Sequence, residues 1–164
     1  MIQQLSGDIL LTRAQALAHG VAPNDHFNSG LALSLREQWP ALYKDFRHYC
    51  HTTHAEPGGL WSWVGADGRR IVNLFTQSAA YEHGSKPGPA TVEYVNHCLR
   101  ELRKLIEHEH LRTVALPRLA TGVGGLDWED VQPLITSHLG TLPVTILLYS
   151  TYRKGVDAEA GIAA

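Results

Sequence analysis

The sequence predicts an α/β fold, a three-layer α/β/α sandwich around a central mixed sheet, and three observations carry that prediction. Short apolar runs of strand length alternate with longer stretches of helical period along the 164 residues. A glycine-rich connection from Pro117 to Trp128, PRLATGVGGLDW, joins an apolar run to a helix start. No internal repeat or second domain divides the chain. One domain over residues 1–155 is therefore expected, followed by a small, featureless and loose tail over 156–164.

The elements follow in chain order. Strand-like segments fall at Asp8–Leu11, Ala16–Ala18, Ile71–Thr76, Thr113–Leu116 and Val144–Tyr149. Helical patterns occupy Gly30–Cys50, Thr91–Glu109 and Glu129–Leu139. Pro40 interrupts the first pattern, and its fixed φ and missing N–H bend or restart the helix there. Trp61, Trp63 and Val64, then Ala66-Asp67-Gly68 and Ile71, read as a β-hairpin turning on Asp-Gly. Val92, Val95, Leu99, Leu102 and Ile106 recur at steps of three and four and make one apolar stripe, with Thr91 placed to cap it after Pro-Gly-Pro. Asp127 is placed as N-cap of the last helix, with Asp130 suiting the dipole of its first turn.

Composition narrows the function classes. Hydrophobic content of 44% with 18% charged residues suits a globular domain with a real core. A net charge of −2 advertises no basic surface, so strong duplex nucleic-acid binding is not expected, although one modified nucleic-acid end remains open as substrate. There is no apolar run of membrane-spanning length and no basic-then-apolar leader, so no membrane partner is expected. Cys50 and Cys98 lie on separate helical patterns and read as free thiols in a reducing cytoplasm.

Four loops collect at the strand ends, where ligands sit on α/β sheets. They are Gly7-Asp8-Ile9, the polar loop Asn24-Asp25-His26-Phe27-Asn28-Ser29-Gly30 leading into a helix, Thr76-Gln77 with Tyr81 to Lys86 beyond it, and the glycine loop at 120–125. Gly122, Gly124 and Gly125 leave backbone amides uncovered, and amides at a helix start favour an anion. Two loops preceding two helices suit a diphosphate better than one carboxylate.

These residues resemble the macro domain, an ADP-ribose-binding family. The resemblance runs from Gly7 to Tyr149 and rests on GDI at 7–9, NSGLAL at 28–33, NLFTQ at 73–77 and ALPRLATGVGGLDWEDV at 115–131. It is nearest the branch holding the terminal ADP-ribose protein glycohydrolase and the bacterial antitoxins that remove ADP-ribose from DNA. The resemblance implies that Asp8 accepts from the adenine amino group with the Ile9 backbone alongside; read alone, Asp8 is equally a turn-capping aspartate. It implies further that Phe27, Asn28, Ser29 and Gly30, with Thr121, Gly122, Val123, Gly124 and Gly125, wrap the diphosphate and distal ribose, and that Thr76 and Gln77 end the middle strand beside them. Tyr149 either stacks near adenine or packs in the core. No metal or organic cofactor is implied.

The chain departs from this branch where the chemistry is done. A lysine of the family follows the threonine of the middle strand, where Gln77 stands, and an aspartate of the glycohydrolase's glycine loop is replaced by Gly124. A covalent lysine–ribose route would then need Lys86 to fold back. Otherwise a water held by the substrate's phosphate and the loops attacks the anomeric carbon, with Asn24, Asp25, His26 and Asn28 around it. His26 is the acid or base of that reading, with Asp25 orienting it or acting itself; the same segment also reads as a turn that caps a helix. Phe27 either gates this site or packs beneath it.

The run His48, Cys50, His51, His54 matches no closed zinc spacing and reads as a histidine-rich helix end. Three functions stay open: an ADP-ribosyl hydrolase acting on ester-linked protein or modified nucleic acid, a non-catalytic ADP-ribose reader, and an ADP-ribose 1″-phosphate phosphatase. Ester hydrolysis asks least of a general acid, which favours the hydrolase.

Overall fold

Alternating side chains on each strand divide the protein into two cores. In the computed structural model, which describes residues 1–79 and 87–162, the strands are β1 Ile2–Gly7, β2 Ala16–Val21, β3 Leu60–Val64, β4 Arg70–Phe75, β5 Thr113–Pro117 and β6 Thr145–Tyr152. The helices are α1 Gly30–Gln38, α2 Pro40–Thr53, α3 Val92–His108 and α4 Trp128–Leu139. The sheet order is β1-β6-β5-β2-β4-β3, parallel throughout except for the antiparallel β3–β4 hairpin.

Ala16 and Ala18, Val72 and Leu74, Val114 and Leu116, and Ile146 and Leu148 face α3 and α4. Leu17 and Val21, Ile71 and Phe75, Ala115 and Leu147 face α1 and α2. Strands buried on both faces read as unbroken apolar runs, which is why the inner strands were visible in the sequence. The expected three layers and mixed sheet are present.

Local chemistry sets the boundaries. Pro40 occupies the first turn of α2, where its missing N–H costs nothing, and so restarts the helix after Trp39. Thr91 Oγ1 accepts from the Tyr94 amide at 3.0 Å and caps α3. Asp127 has the extended backbone of an N-cap but makes no side-chain cap bond.

Two expectations are corrected. Asp8–Leu11 is not a strand: Asp8 Oδ1 accepts from the Leu10 amide at 3.0 Å and turns the chain into a 3₁₀ turn at Ile9–Leu11. The first strand lies earlier, at Ile2–Gly7, on a sheet edge where Gln4 and Ser6 are exposed and no apolar run forms. Nor is the C-terminal segment loose up to residue 162. Glu159 is buried, accepting from Thr12 Oγ1 at 2.5 Å, from the Arg13 amide at 2.9 Å and from the Tyr149 hydroxyl. Burial and this carboxylate raise the Tyr149 hydroxyl above the ordinary tyrosine range. Among the described residues no helix is long and apolar enough to cross a membrane.

Candidate functional site

Parallel strands bring their C-terminal ends to one edge of the sheet, and there the four expected loops meet. Two adjoining cavities result. One, of about 380 Å³, is mostly apolar and is walled by Ile9, Leu10, Leu31, Tyr149 and Tyr152. The other, of about 280 Å³, runs between Asn28–Ala32 and Arg118–Gly124, with His19, Gly20, Asp25 and Gln77 also lining it. Gly30, Leu31 and Pro117 line both. Together they form a groove with an apolar end and a polar middle, in the range of roughly 300–1,000 Å³ typical of small-molecule sites.

Backbone amides line that middle. Ser29 makes no side-chain cap bond at the start of α1, and among the described residues nothing takes up the amides of Gly30, Leu31 and Ala32. Across the groove the amides of Gly122, Val123 and Gly124 are likewise free among the described residues. Thr121 Oγ1 donates to the Arg118 carbonyl at 3.0 Å, and the Gly125 amide donates to the Gly122 carbonyl at 3.1 Å, so the loop is fixed by its own bonds. Gly125 sits at φ +79°, a left-handed conformation that glycine takes without strain. Gly124 has no room for a side chain: a Cβ would stand 2.7 Å from the Ala120 carbonyl oxygen and 2.9 Å from Ala90 Cβ. Of the two helix starts expected at the anion site, α1 lines the groove and α4 contributes no residue to it.

The loop from Asn24 to Gly30 is held in an unusual shape. Asn24, Phe27 and Gly30 all have positive φ. Asp25 enforces this, its Oδ1 accepting from the Phe27 amide at 2.9 Å and its Oδ2 from the Ala22 amide at 3.1 Å. A left-handed phenylalanine costs about 1–2 kcal/mol. Full burial of the ring against Phe46, Tyr43 and His19, at centroid distances of 4.7, 5.5 and 5.7 Å, contributes roughly 1.5–3 kcal/mol and offsets it. Phe27 therefore packs beneath the site and does not gate it.

The two residues read as catalytic are divided. Asp25 lines the groove, but both its oxygens serve the loop backbone. His26 lines a separate cavity beyond Asp25, with Tyr43, Arg47 and His51. Gln77 is buried, and its Nε2 donates to the Gly88 carbonyl at 3.1 Å. Thr76 Oγ1 is buried without a partner, lodged above the space that a Cβ of Gly20 would fill at 2.7 Å. At the apolar end Asp8 fulfils its turn-capping reading, with Oδ2 accepting from the Gly155 amide at 2.9 Å. Tyr149 forms a cavity wall, held by Glu159. Lys86 lies outside the described residues.

Two groove residues escaped the sequence reading. Arg118 is exposed beside the glycine loop, its guanidinium 5.2 Å from the Trp128 ring centroid. His19 is buried in β2 opposite Asn73 of β4, with Nε2 2.7 Å from Asn73 Oδ1. Asn73 Nδ2 donates to the Trp61 carbonyl, so Oδ1 is the acceptor and the His19 proton sits on Nε2. Nδ1 is then a lone pair with no partner. Burial pulls the imidazole pKa down from 6.5 to about 4, against the smaller opposing effect of the Asn73 bond. His19 is a fixed, neutral acceptor.

Comparison with known proteins places this geometry. A family model described as the macro domain matches residues 41–135. The DNA ADP-ribosyl glycohydrolase of Mycobacterium tuberculosis is 29% identical over 168 residues, covering 99% of this chain and 46% of its own length. That of Thermus aquaticus is 28% identical over 145 residues, covering 87% and 39%. This chain thus spans less than half the length of these relatives. Among solved structures, the macrodomain of Thermus aquaticus DarG superposes with a TM-score of 0.80 at 28% identity, over 92% of this chain and 98% of that one. The macrodomain of Mycobacterium tuberculosis DarG gives a TM-score of 0.80 at 26% identity, over 92% and 99%. With the family model matching more than half of its residues and the groove at the sheet edge formed as described, this chain belongs to the macro domain family.

Proposed function

We propose that this domain binds ADP-ribose and hydrolyses the bond between its distal ribose and a macromolecule, with modified nucleic acid as the carrier. One observation carries the reading: an apolar cavity leads directly into a channel whose two walls present free backbone amides. A nucleoside diphosphate sugar has that order of parts. Adenine fits the cavity of Ile9, Leu10, Tyr149 and Tyr152, and Asp8 retains lone pairs for its amino group. The diphosphate lies between the start of α1 and Gly122–Gly124, where amides and the helix dipole favour negative charge. The distal ribose then reaches Asp25 and His19. The choice of nucleic acid is supported by relatives named for DNA ADP-ribosyl glycohydrolysis. A cytoplasmic location belongs to the same proposal and agrees with two buried free thiols.

In the reaction a water oxygen bonds to the anomeric carbon while the bond to the carrier breaks and its electron pair leaves with the carrier. The water's proton passes to the departing group or to solvent. His19 lines the groove with a fixed, neutral imidazole that shapes the wall met by the ribose or the water; it is too weak a base to keep the proton at neutral pH. Asp25 holds the loop in register, and the fixed amides stabilise charge as it develops.

A reader without turnover is the second reading, favoured by Gln77, whose amide is tied to Gly88 where the glycohydrolase and antitoxin branch that the sequence resembles has a lysine. Calorimetric titration with ADP-ribose, followed by release from an ADP-ribosylated oligonucleotide, separates the two. Binding with release is expected, and His19→Gln should lower turnover more than His26→Ala does. Binding without release moves the assignment to the reader. Absence of binding overturns both.

A further inference from the structure

The groove does not end at Asp25. Asp25 also lines a neighbouring cavity of about 140 Å³, on the far side of its loop, with Asn24, His26, Tyr43, Arg47 and His51. A shallower depression continues from there, sharing Tyr43, Arg47 and His51 and adding Lys44 and His48. Recesses that share Asp25, and then Tyr43, Arg47 and His51, thus succeed one another from the amide-lined channel to a cationic face on α2. If ADP-ribose lies as proposed above, its adenine is at one end and the bond to its carrier points towards that face.

The cations there are not held in ion pairs. Among the described residues no salt bridge involves Lys44, Arg47 or Arg36. Arg36 stacks on Tyr43, 4.1 Å from the ring centroid, and donates to the His26 carbonyl at 3.0 Å; Arg47 stands 6.0 Å from the same ring. The nearby carboxylates are engaged: Asp25 by two backbone amides, and Asp45 by the Trp63 indole at 2.8 Å. His26 Nε2 is buried without a partner. In a chain of net charge −2 this is a local arrangement and not a general basicity. Lys44, Arg47, His48 and His51 share one side of α2 by their spacing of three and four, and rise about 10 Å along its axis. At about 3.4 Å per nucleotide that covers roughly three nucleotides of one strand. A guanidinium engages phosphate oxygens as a planar fork, and a nucleic-acid strand presents such a group at every nucleotide, matching cations repeated along one helix face.

We infer that the Lys44–His51 face of α2 binds the backbone phosphates of the nucleic-acid strand that carries the ADP-ribose group. The inference rests on the function proposed above and assigns the carrier a site of its own outside the ADP-ribose groove.

The test uses the full chain and four probes: free ADP-ribose, an ADP-ribosylated single-stranded oligonucleotide, the same oligonucleotide unmodified, and an ADP-ribosylated acidic peptide. The modified oligonucleotide is expected to bind more tightly than free ADP-ribose. For two phosphate contacts that excess falls about sevenfold over a fourfold rise in salt. Lys44→Glu with Arg47→Glu, both exposed, should abolish the excess and its salt dependence while free ADP-ribose binds as before. The charge-preserving pair Lys44→Arg with Arg47→Lys should keep most of it, and thermal melting controls for folding. Equal oligonucleotide affinity and salt slope in the wild type and the Glu variant overturn the inference. So does an excess seen only for an ADP-ribosylated acidic peptide, which would make the carrier a protein. If the wild type binds no ADP-ribose, the proposed function fails, and the face is judged on the unmodified oligonucleotide. Salt-dependent binding that the Glu pair removes supports the site, and its absence overturns it.

Discussion

Lowering the pH tests whether His19 is held neutral against its own tendency to ionise. Its folded pKa of about 4 lies below the ordinary 6.5 because burial penalises the imidazolium. Between those values the unfolded chain binds a proton that the folded chain refuses. The stability His19 contributes is therefore complete above pH 6.5 and is lost as pH falls towards 4. Integrated from about pH 7 to about pH 4, the loss is about 3 kcal/mol. Carboxylates titrate over the same range, so the comparison must be made against a variant that lacks only this group. His19→Gln keeps a donor for Asn73 Oδ1 and does not titrate. Urea unfolding at a series of pH values should show the wild type losing about 3 kcal/mol more than His19→Gln, most of it between pH 6 and pH 4. Parallel curves for the two proteins would refute a buried neutral imidazole, and with it the lone pair assigned to Nδ1.

Three other perturbations reach different parts of the site. Gly125→Glu places a side chain at φ +79° and a negative charge beside the diphosphate channel, so calorimetry should show ADP-ribose binding lost, with about 1–2 kcal/mol of stability lost as well. Glu159→Ala leaves the Thr12 and Tyr149 hydroxyls and the Arg13 amide without their acceptor. It should cost about 2–3 kcal/mol, a fall in melting temperature of roughly 5–10 °C, whereas an unchanged melting curve would mean that the C-terminal segment is not docked. Because no lysine nucleophile stands at position 77, turnover should track the leaving group, with glutamate-ester-linked ADP-ribose released at least tenfold faster than a glycosidically linked form in matched single-turnover assays.

What the sequence made legible was what each segment does for itself. The α3 stripe and its Thr91 cap, the restart at Pro40 and the hairpin at Asp67-Gly68 are all local, and all are present. The glycine loop was visible because Gly124 has no room for a side chain and Gly125 takes a positive φ. By contrast, β1 was hidden because an edge strand buries only part of its residues and leaves glutamines in the pattern. The docked C-terminal segment was hidden because Glu159 finds one partner 147 residues away at Thr12. His19 was overlooked for the same reason. A histidine in an apolar run is only a blemish until the β2–β4 register sets Asn73 opposite it, 54 positions along the chain. His26 drew attention by standing in a polar loop, but positive φ at Asn24 and Phe27 folds that loop so that it lines the neighbouring recess.

That exchange of histidines changes what chemistry the groove is built for. A buried imidazole bonded to Asn73, itself anchored on the Trp61 carbonyl, holds one tautomer and one orientation. With Gln77 committed to Gly88 and Gly124 closed to any side chain by Ala120 and Ala90, neither position offers a group to attack or to deprotonate. What the groove presents to a substrate is fixed dipoles: the α1 amides and the Gly122–Gly124 amides. Dipoles placed before the substrate arrives stabilise developing charge without reorganising, which is the larger part of what such a site must supply. They supply no proton to a poor leaving group. On the proposed function, the same arrangement recognises the diphosphate through its amides and makes the rate depend on what the ribose is attached to.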